Sequence, residues 1–265
     1  MRDRRPTVAD LLAIKGKRQL SMLRVETLEE AEAAQKAGID LLSVPPALLG
    51  PAFREAVPTC FAFPGLEYGD YVSAEEYLRA AFSALRAGGD AVWCAASLAI
   101  IRRLREEGIP VCGHVGLIPD KRTWTGGFKA VGRTLETALL VWRQTKALEE
   151  AGAFSSEIEV VPAEVASAIS SRTSMFMISM GSGAGCDAQY LFATDVLGTN
   201  RGHVPRHSKV YRNFAAEYDR LQQERIAAFS ELVRDIKAGS YPELRHQVGI
   251  PKAELEQFLR AIGNT

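Results

Sequence analysis

The chain has 265 residues, 47% of them apolar and 24% charged, the proportions of a globular protein with room for one deep core. Lysine plus arginine equal aspartate plus glutamate at 32 each, so overall charge offers nothing to nucleic acid or to an anionic membrane surface. Cys60, Cys94, Cys112 and Cys186 lie in apolar or glycine-rich runs without CxxC spacing, which favours buried, reduced thiols over a disulfide framework or a zinc knuckle.

The N-terminal Met1-Arg2-Asp3-Arg4-Arg5-Pro6 is charged and leads into no apolar signal segment. No stretch approaches the ~20 apolar residues of a membrane span. A cytoplasmic protein with a small-molecule substrate, and without nucleic-acid or membrane partners, is therefore expected. Short apolar segments follow at 20–24, 39–44, 59–63, 91–95, 110–115, 157–161 and 175–179, and a weaker one at 196–198. Helical patterns separate them. Residues 26–37 are acidic early and stop at Gly38, and Ser73-Ala74-Glu75-Glu76 is a capping box opening a helix that runs to the glycines at 88 and 89. Residues 134–152 form a longer amphipathic pattern with Leu139, Leu140, Trp142 and Leu148 as its expected buried positions. Strands alternating with helices predict a parallel sheet, and eight of them predict a single (β/α)8 barrel with its site at the C-terminal strand ends. Residues 208–238 and 252–262 read as a C-terminal helical extension (about 208–265) of one domain spanning 1–265.

Three places carry chemistry. His114 ends a predicted strand between Gly113 and two residues later Gly116, where a ligand and backbone can approach closely. From the residues alone it is a pocket residue or a histidine bonded within the barrel. Glu159, in Ile158-Glu159-Val160-Val161-Pro162, is a carboxylate inside an apolar strand, where burial raises the pKa toward that of a general base able to take a proton next to a carbonyl. Glu157 has the same strand parity and competes for that role. Gly181-Ser182-Gly183-Ala184-Gly185, expected to follow a strand and open a helix, is either a tight turn or an anion-binding loop.

Val111-Cys112-Gly113-His114-Val115-Gly116-Leu117-Ile118-Pro119, followed by Gly126-Gly127-Phe128-Lys129-Ala130-Val131-Gly132-Arg133, resembles the ketopantoate hydroxymethyltransferase family pattern V-C-G-H-x-G-L-x-P and G-G-[FY]-K-V-x-G-[RK]. The glycine-rich run at 181–189, Asp195-Val196-Leu197-Gly198, Pro205–Tyr211 and Tyr241-Pro242-Glu243 with His246 resemble further family segments. The resemblance implies a barrel of the phosphoenolpyruvate-mutase-like type and a homo-oligomer, often a decamer. It implies transfer of a hydroxymethyl unit from methylenetetrahydrofolate to 3-methyl-2-oxobutanoate, a step in pantothenate biosynthesis. The family's base falls on Glu159, whose distance to Pro162 fits the motif, and a substrate-pocket histidine on His114. Residues 126–133 then make a basic segment that folds over the pocket.

The chain departs from the family where magnesium is bound. Pro46 and Gly65 stand at the positions of its two aspartate ligands, Trp93 and Ala95 replace a lysine and a glutamate, and Val25-Glu26 replaces a Tyr-Asp pair. No metal ligand is therefore assigned. Arg24 is the expected substitute for the lost positive charge if it reaches the barrel mouth, Trp93 a residue that lines or stacks on the ligand, and Glu67 with Asp70 the place where a metal site would be rebuilt. The alternatives are a metal-independent carbon–carbon lyase, aldolase or isomerase acting on another carboxylic acid, and a non-catalytic ligand-binding homologue.

Overall fold

The computed structural model describes residues 4–263, so the first three residues of the charged N-terminal run lie outside the described residues. Two units are distinguished, residues up to 212 and residues from 213 onward. In the first, eight parallel strands close into a barrel: β1 Leu20–Arg24, β2 Leu41–Val44, β3 Phe61–Leu66, β4 Val92–Cys94, β5 Val111–Gly116, β6 Ser155–Glu159, β7 Phe176–Met180 and β8 Ala188–Phe192. Each pairs with the next, and β8 returns to β1 with Leu20 opposite Ala188 and Arg24 opposite Phe192.

The period-2 pattern explains both the core and the site. The inward column of β1 reads Leu20, Met22, Arg24; that of β2, Leu41, Ser43; that of β5, Cys112, His114; that of β7, Phe176, Ile178, Met180. Along β1, β2 and β5 the columns begin apolar and end polar. The apolar ends fill the barrel with Leu20, Leu41, Phe61, Phe63, Cys112, Phe176 and Ile178, all buried. The outward residues pack beneath the surrounding helices, where Ile101, Leu104, Val141, Leu148, Ala166 and Ile169 form a second apolar layer. At the N-terminal end, helix Val8–Ile14 closes the barrel: Leu11 is buried in the interior cluster. The carboxylate of Asp187 fixes that closure by accepting from Lys15 Nζ at 2.8 Å, Gly16 N at 2.9 Å and Met177 N at 2.7 Å.

Several expectations are corrected. The eighth strand is Ala188–Phe192, not 196–198; those later residues belong to the short helix Ala193–Leu197 and to Gly198, its left-handed cap at φ +67°. Consequently the glycine-rich loop joins β7 directly to β8 and opens no helix. Its glycines serve packing instead. A Cβ at Gly183 would lie 2.4 Å from Ala163 Cβ, and one at Gly185 2.4 Å from Ser167 Cβ, so both allow helix Ala163–Ser170 to close in. Ser182 is buried in this turn, donating to Ile158 O at 2.9 Å and accepting from Val161 N at 3.0 Å. The first long helix begins at Leu28 behind an N-cap Thr27, which leaves Glu26 outside it. In helix Leu135–Glu150 the buried face is Val141, Thr145 and Leu148, whereas Leu139 and Leu140 are exposed. The Ser73 capping box forms as expected, with Glu76 N donating to Ser73 Oγ and Ser73 N to Glu76 Oε2, over Ala74–Arg86.

The second unit consists of a long helix, Phe214–Ala238, and a shorter one, Lys252–Ile262. Asn213 caps the first by accepting from Ala216 N, and Gly239 ends it in the left-handed conformation. No residue of either helix is buried. Among the described residues no helix is long and apolar enough to cross a membrane.

Candidate active site

The polar ends of the inward columns converge at the C-terminal rim on a cavity of about 400 Å³. Arg24 enters from β1, Ser43 from β2, Glu67 from just past β3, Trp93 from β4, His114 from β5, Glu157 and Glu159 from β6, Met180 from β7, and Tyr190 and Phe192 from β8. Ile118, Pro119, Asp120, Pro205 and His207 complete the wall from the loops above. Such a concave, mostly apolar space with a few convergent polar groups at the strand ends is where this architecture places a ligand.

His114 sits between the two carboxylates of β6. Its Nε2 lies 2.8 Å from Leu117 O and 3.2 Å from Glu159 Oε2; its Nδ1 lies 3.3 Å from Glu157 Oε2. A carbonyl only accepts, so Nε2 carries the hydrogen. Nδ1 is buried and makes no hydrogen bond of ordinary geometry. The backbone sets this up through two unusual residues. Gly116 adopts φ +86°, which turns the chain so that Leu117 N donates to Glu159 O at 2.9 Å; a Cβ at that glycine would lie 2.4 Å from the same carbonyl oxygen. Val160, directly after Glu159, is the one non-glycine residue with positive φ among those described, at 49°. Its N–H donates to Met180 O and its carbonyl accepts from Val131 N, so the strained turn is held from both sides.

Burial pushes the Glu157 carboxyl up to about 7, and the neighbouring Glu159 adds to the rise, while His114 and Trp93 pull against it. For His114, burial alone would lower the imidazole, yet Glu159 and Glu157 hold it above its ordinary value. Trp93 meets His114 edge-on, ring centroids 5.9 Å apart, and its indole Nε1 is buried without a hydrogen-bond partner. Tyr190 stacks on Phe192 at 5.5 Å, which leaves Phe192 part-exposed at the mouth.

Arg24 reaches the rim. Its Nε donates to Glu26 Oε1 at 2.6 Å, and its Nη1 lies 3.4 Å from Ser43 Oγ and 3.7 Å from Glu67 Oε1. Burial raises the Glu67 carboxyl against the pull of Arg24. The same pair answers whether a magnesium-type ion fits. A Cβ on Gly65 would stand 2.7 Å from Glu67 Oε1 and 3.5 Å from Arg24 Nη1, so the space for a ligand side chain at position 65 is filled by an ion pair. Pro46 lies in a short 3-10 turn, Pro46–Leu48, off the cavity lining, and Asp70 does not line the cavity either. Among the described residues no group of three or more histidine, cysteine, aspartate or glutamate side chains is placed to hold a metal ion. A guanidinium stands where such a site needs carboxylates, and the residues present do not fit the ion.

Arg24, Trp93, His114 and Glu159, the four site residues expected from sequence, thus line one cavity. The segment 121–133 does not: only 118–120 of that connection reaches the cavity, and Trp124 and Phe128 are exposed. Glu157 was legible as a parity mate of Glu159. His207 belongs to the Pro205–Tyr211 segment singled out by resemblance, whereas Tyr190, Phe192 and the packing of Glu67 over Gly65 carried no recognisable signal.

Comparison with known proteins agrees with this architecture. The sequence model of the family described as ketopantoate hydroxymethyltransferase matches residues 49–244. The 3-methyl-2-oxobutanoate hydroxymethyltransferase of Pyrococcus abyssi is 32% identical over 264 residues, covering 91% of this chain and 91% of its own. That of Nitratidesulfovibrio vulgaris is 33% identical over 282 residues, covering 97% and 89%. Among solved structures, phosphoenolpyruvate phosphomutase from Streptomyces platensis subsp. rosaceus superposes with a TM-score of 0.51 at 13% identity over 98% of each chain, a likeness of fold.

Proposed function

The chain belongs to the ketopantoate hydroxymethyltransferase family, and from that membership together with the rim cavity we propose that it transfers a hydroxymethyl unit from methylenetetrahydrofolate to 3-methyl-2-oxobutanoate. The observation that carries this reading is Glu159 in contact with His114 Nε2 at 3.2 Å on one wall of a cavity whose other wall presents the Arg24 guanidinium. A small 2-oxo acid needs both: a cation for its carboxylate, and a base beside the carbon next to its keto group.

In this assignment Glu159 takes the C3 proton. Nε2–H of His114 holds the carboxylate oxygen in place and Leu117 O fixes the ring. Charge that develops on the keto oxygen is met by fixed donors, Arg24 and the unpartnered indole N–H of Trp93. Since the residues at the family's ligand positions do not fit a magnesium ion, no step is assigned to one. Phe192, stacked on Tyr190 at the mouth, offers a flat apolar face for the planar donor. The buried thiols suit the reducing cytoplasm, where this step of pantothenate biosynthesis would run. Helix Phe214–Ala238 exposes Tyr218, Ile226, Phe229 and Val233 at helical spacing, a stripe that supports a homo-oligomer, measurable by sedimentation.

The deciding experiment is hydrogen–deuterium exchange at C3 of 3-methyl-2-oxobutanoate, followed by proton NMR with EDTA and with millimolar magnesium. Exchange in EDTA is expected. Exchange only with magnesium would mean that a metal site forms despite Gly65 and Pro46, and no exchange in either condition would direct attention to another carboxylic acid.

A further inference from the structure

The cavity holds a buried carboxyl that the proposed reaction leaves without a task. Glu157 is buried, points into the barrel from the middle of the catalytic strand, and lies 3.3 Å from the nitrogen of His114 that faces away from Glu159. Because Leu117 O requires the hydrogen on Nε2, a neutral His114 presents a bare lone pair at Nδ1. Two acceptors, that lone pair and an ionised Glu157, repel each other in a buried site unless a proton lies between them.

We propose that Glu157 is a positioning residue that shares a single proton with Nδ1 of His114, fixing the ring against Glu159 and removing one negative charge from the pocket when an anionic substrate enters. The neighbours are consistent with this. Trp93 from β4 and His114 from β5 favour charge on Glu157; Glu159 on its own strand and Glu67 past β3 oppose it. The Cys112 thiol from β5 and the Tyr190 phenol from β8 also feel its charge. Met180 is the contribution of β7 to the lining, and Arg24 from β1 faces the cavity already paired with Glu26. Both members of the pair have raised pKa values, as a contact that retains a proton must.

The consequence has a sign. Below about pH 7 the shared proton is present, and the substrate carboxylate meets Arg24 without a charge on Glu157. Above it, Glu157 ionises and its negative charge opposes binding. The folded state likewise keeps a proton that the unfolded chain releases near the ordinary 4.5, so this contribution to stability is present at acid pH and is lost as pH rises through about 7.

The proposal rests on the functional reading only for its choice of ligand, and two measurements keep the two apart. In protein labelled with 15N-histidine, His114 is expected to show a protonated Nε2 at all pH values and an Nδ1 signal that titrates near neutral pH, a titration lost in Glu157→Gln. An Nδ1 that does not titrate between pH 5 and 8.5 in the unaltered protein overturns the proposal, whether or not the variant folds. Calorimetric titration of 3-methyl-2-oxobutanoate should give a Kd that rises roughly tenfold per pH unit above the midpoint, as one linked proton requires, and a flatter profile in Glu157→Gln. An equal fall in both proteins also overturns it. Absence of binding at every pH, with the histidine titration intact, would instead remove the functional reading and leave the proton-sharing pair standing.

Discussion

Glu159 presents Oε2 to His114 Nε2 at 3.2 Å, on a carboxylate that lines the cavity. Glutamine at that position preserves size and can still accept from the imidazole, but it has no basicity. Glu159→Gln should therefore keep the melting temperature within about a degree and lower C3 exchange by at least ~100-fold, the scale of a lost general base. Exchange at the unaltered rate would transfer the role to Glu157. At this scale the sequence was informative where a polar residue interrupted an apolar strand: His114, Glu157 and Glu159 stand out because nothing else explains a charge at an inward position. Arg24 and Trp93 became legible through departures from the family pattern. Glu67 was singled out with Asp70 as a place to rebuild a metal site, whereas its packing over Gly65, two residues back, and against Arg24 was not read from the sequence.

Strand β6 and its neighbour β5 act as one element, and the contact between their C-terminal ends is where backbone conformation becomes chemistry. Gly116 has no room for a side chain, since its Cβ would press on Glu159 O at 2.4 Å, and its φ of +86° is itself unfavourable for any other residue. Gly116→Ala should destabilise the barrel by more than ~1 kcal/mol in urea unfolding and reduce exchange by displacing Leu117 O from His114. A midpoint and rate equal to those of the parent chain would show that the turn is not under this constraint. The elements were mostly legible: seven of the predicted segments overlap β1 to β7, shifted by at most a few residues. The eighth was misplaced for a physical reason. Strand recognition leaned on alternation with helices, and here a glycine turn carries β7 straight into β8, so Ala188–Phe192 fell inside a stretch expected to become helical. Val196-Leu197-Gly198 then passed for a strand, although it is the end of a five-residue helix and its cap. Tyr190 and Phe192 went unnoticed with the strand that carries them.

At the scale of the barrel unit, the interior is blocked beneath the site. Leu11 plugs the N-terminal end, Phe61, Phe63 and Phe176 fill the middle, and Lys15 with Asp187 fastens the plug. The cavity is therefore closed from below, and Pro119, Pro205 and His207 line it from the loops above. Two reactants of very different size cannot enter such a space in either sequence. In the proposed reaction the small acid reaches Arg24 at the rim's inner edge before the bulky donor lies across Phe192 and shuts the opening behind it. Steady-state kinetics should thus show compulsory order with the 2-oxo acid first. A dead-end folate analogue should be competitive against the donor and uncompetitive against the acid, whereas a dead-end analogue of the acid should be competitive against the acid and noncompetitive against the donor, the signature of a queue imposed by a floor with no back door.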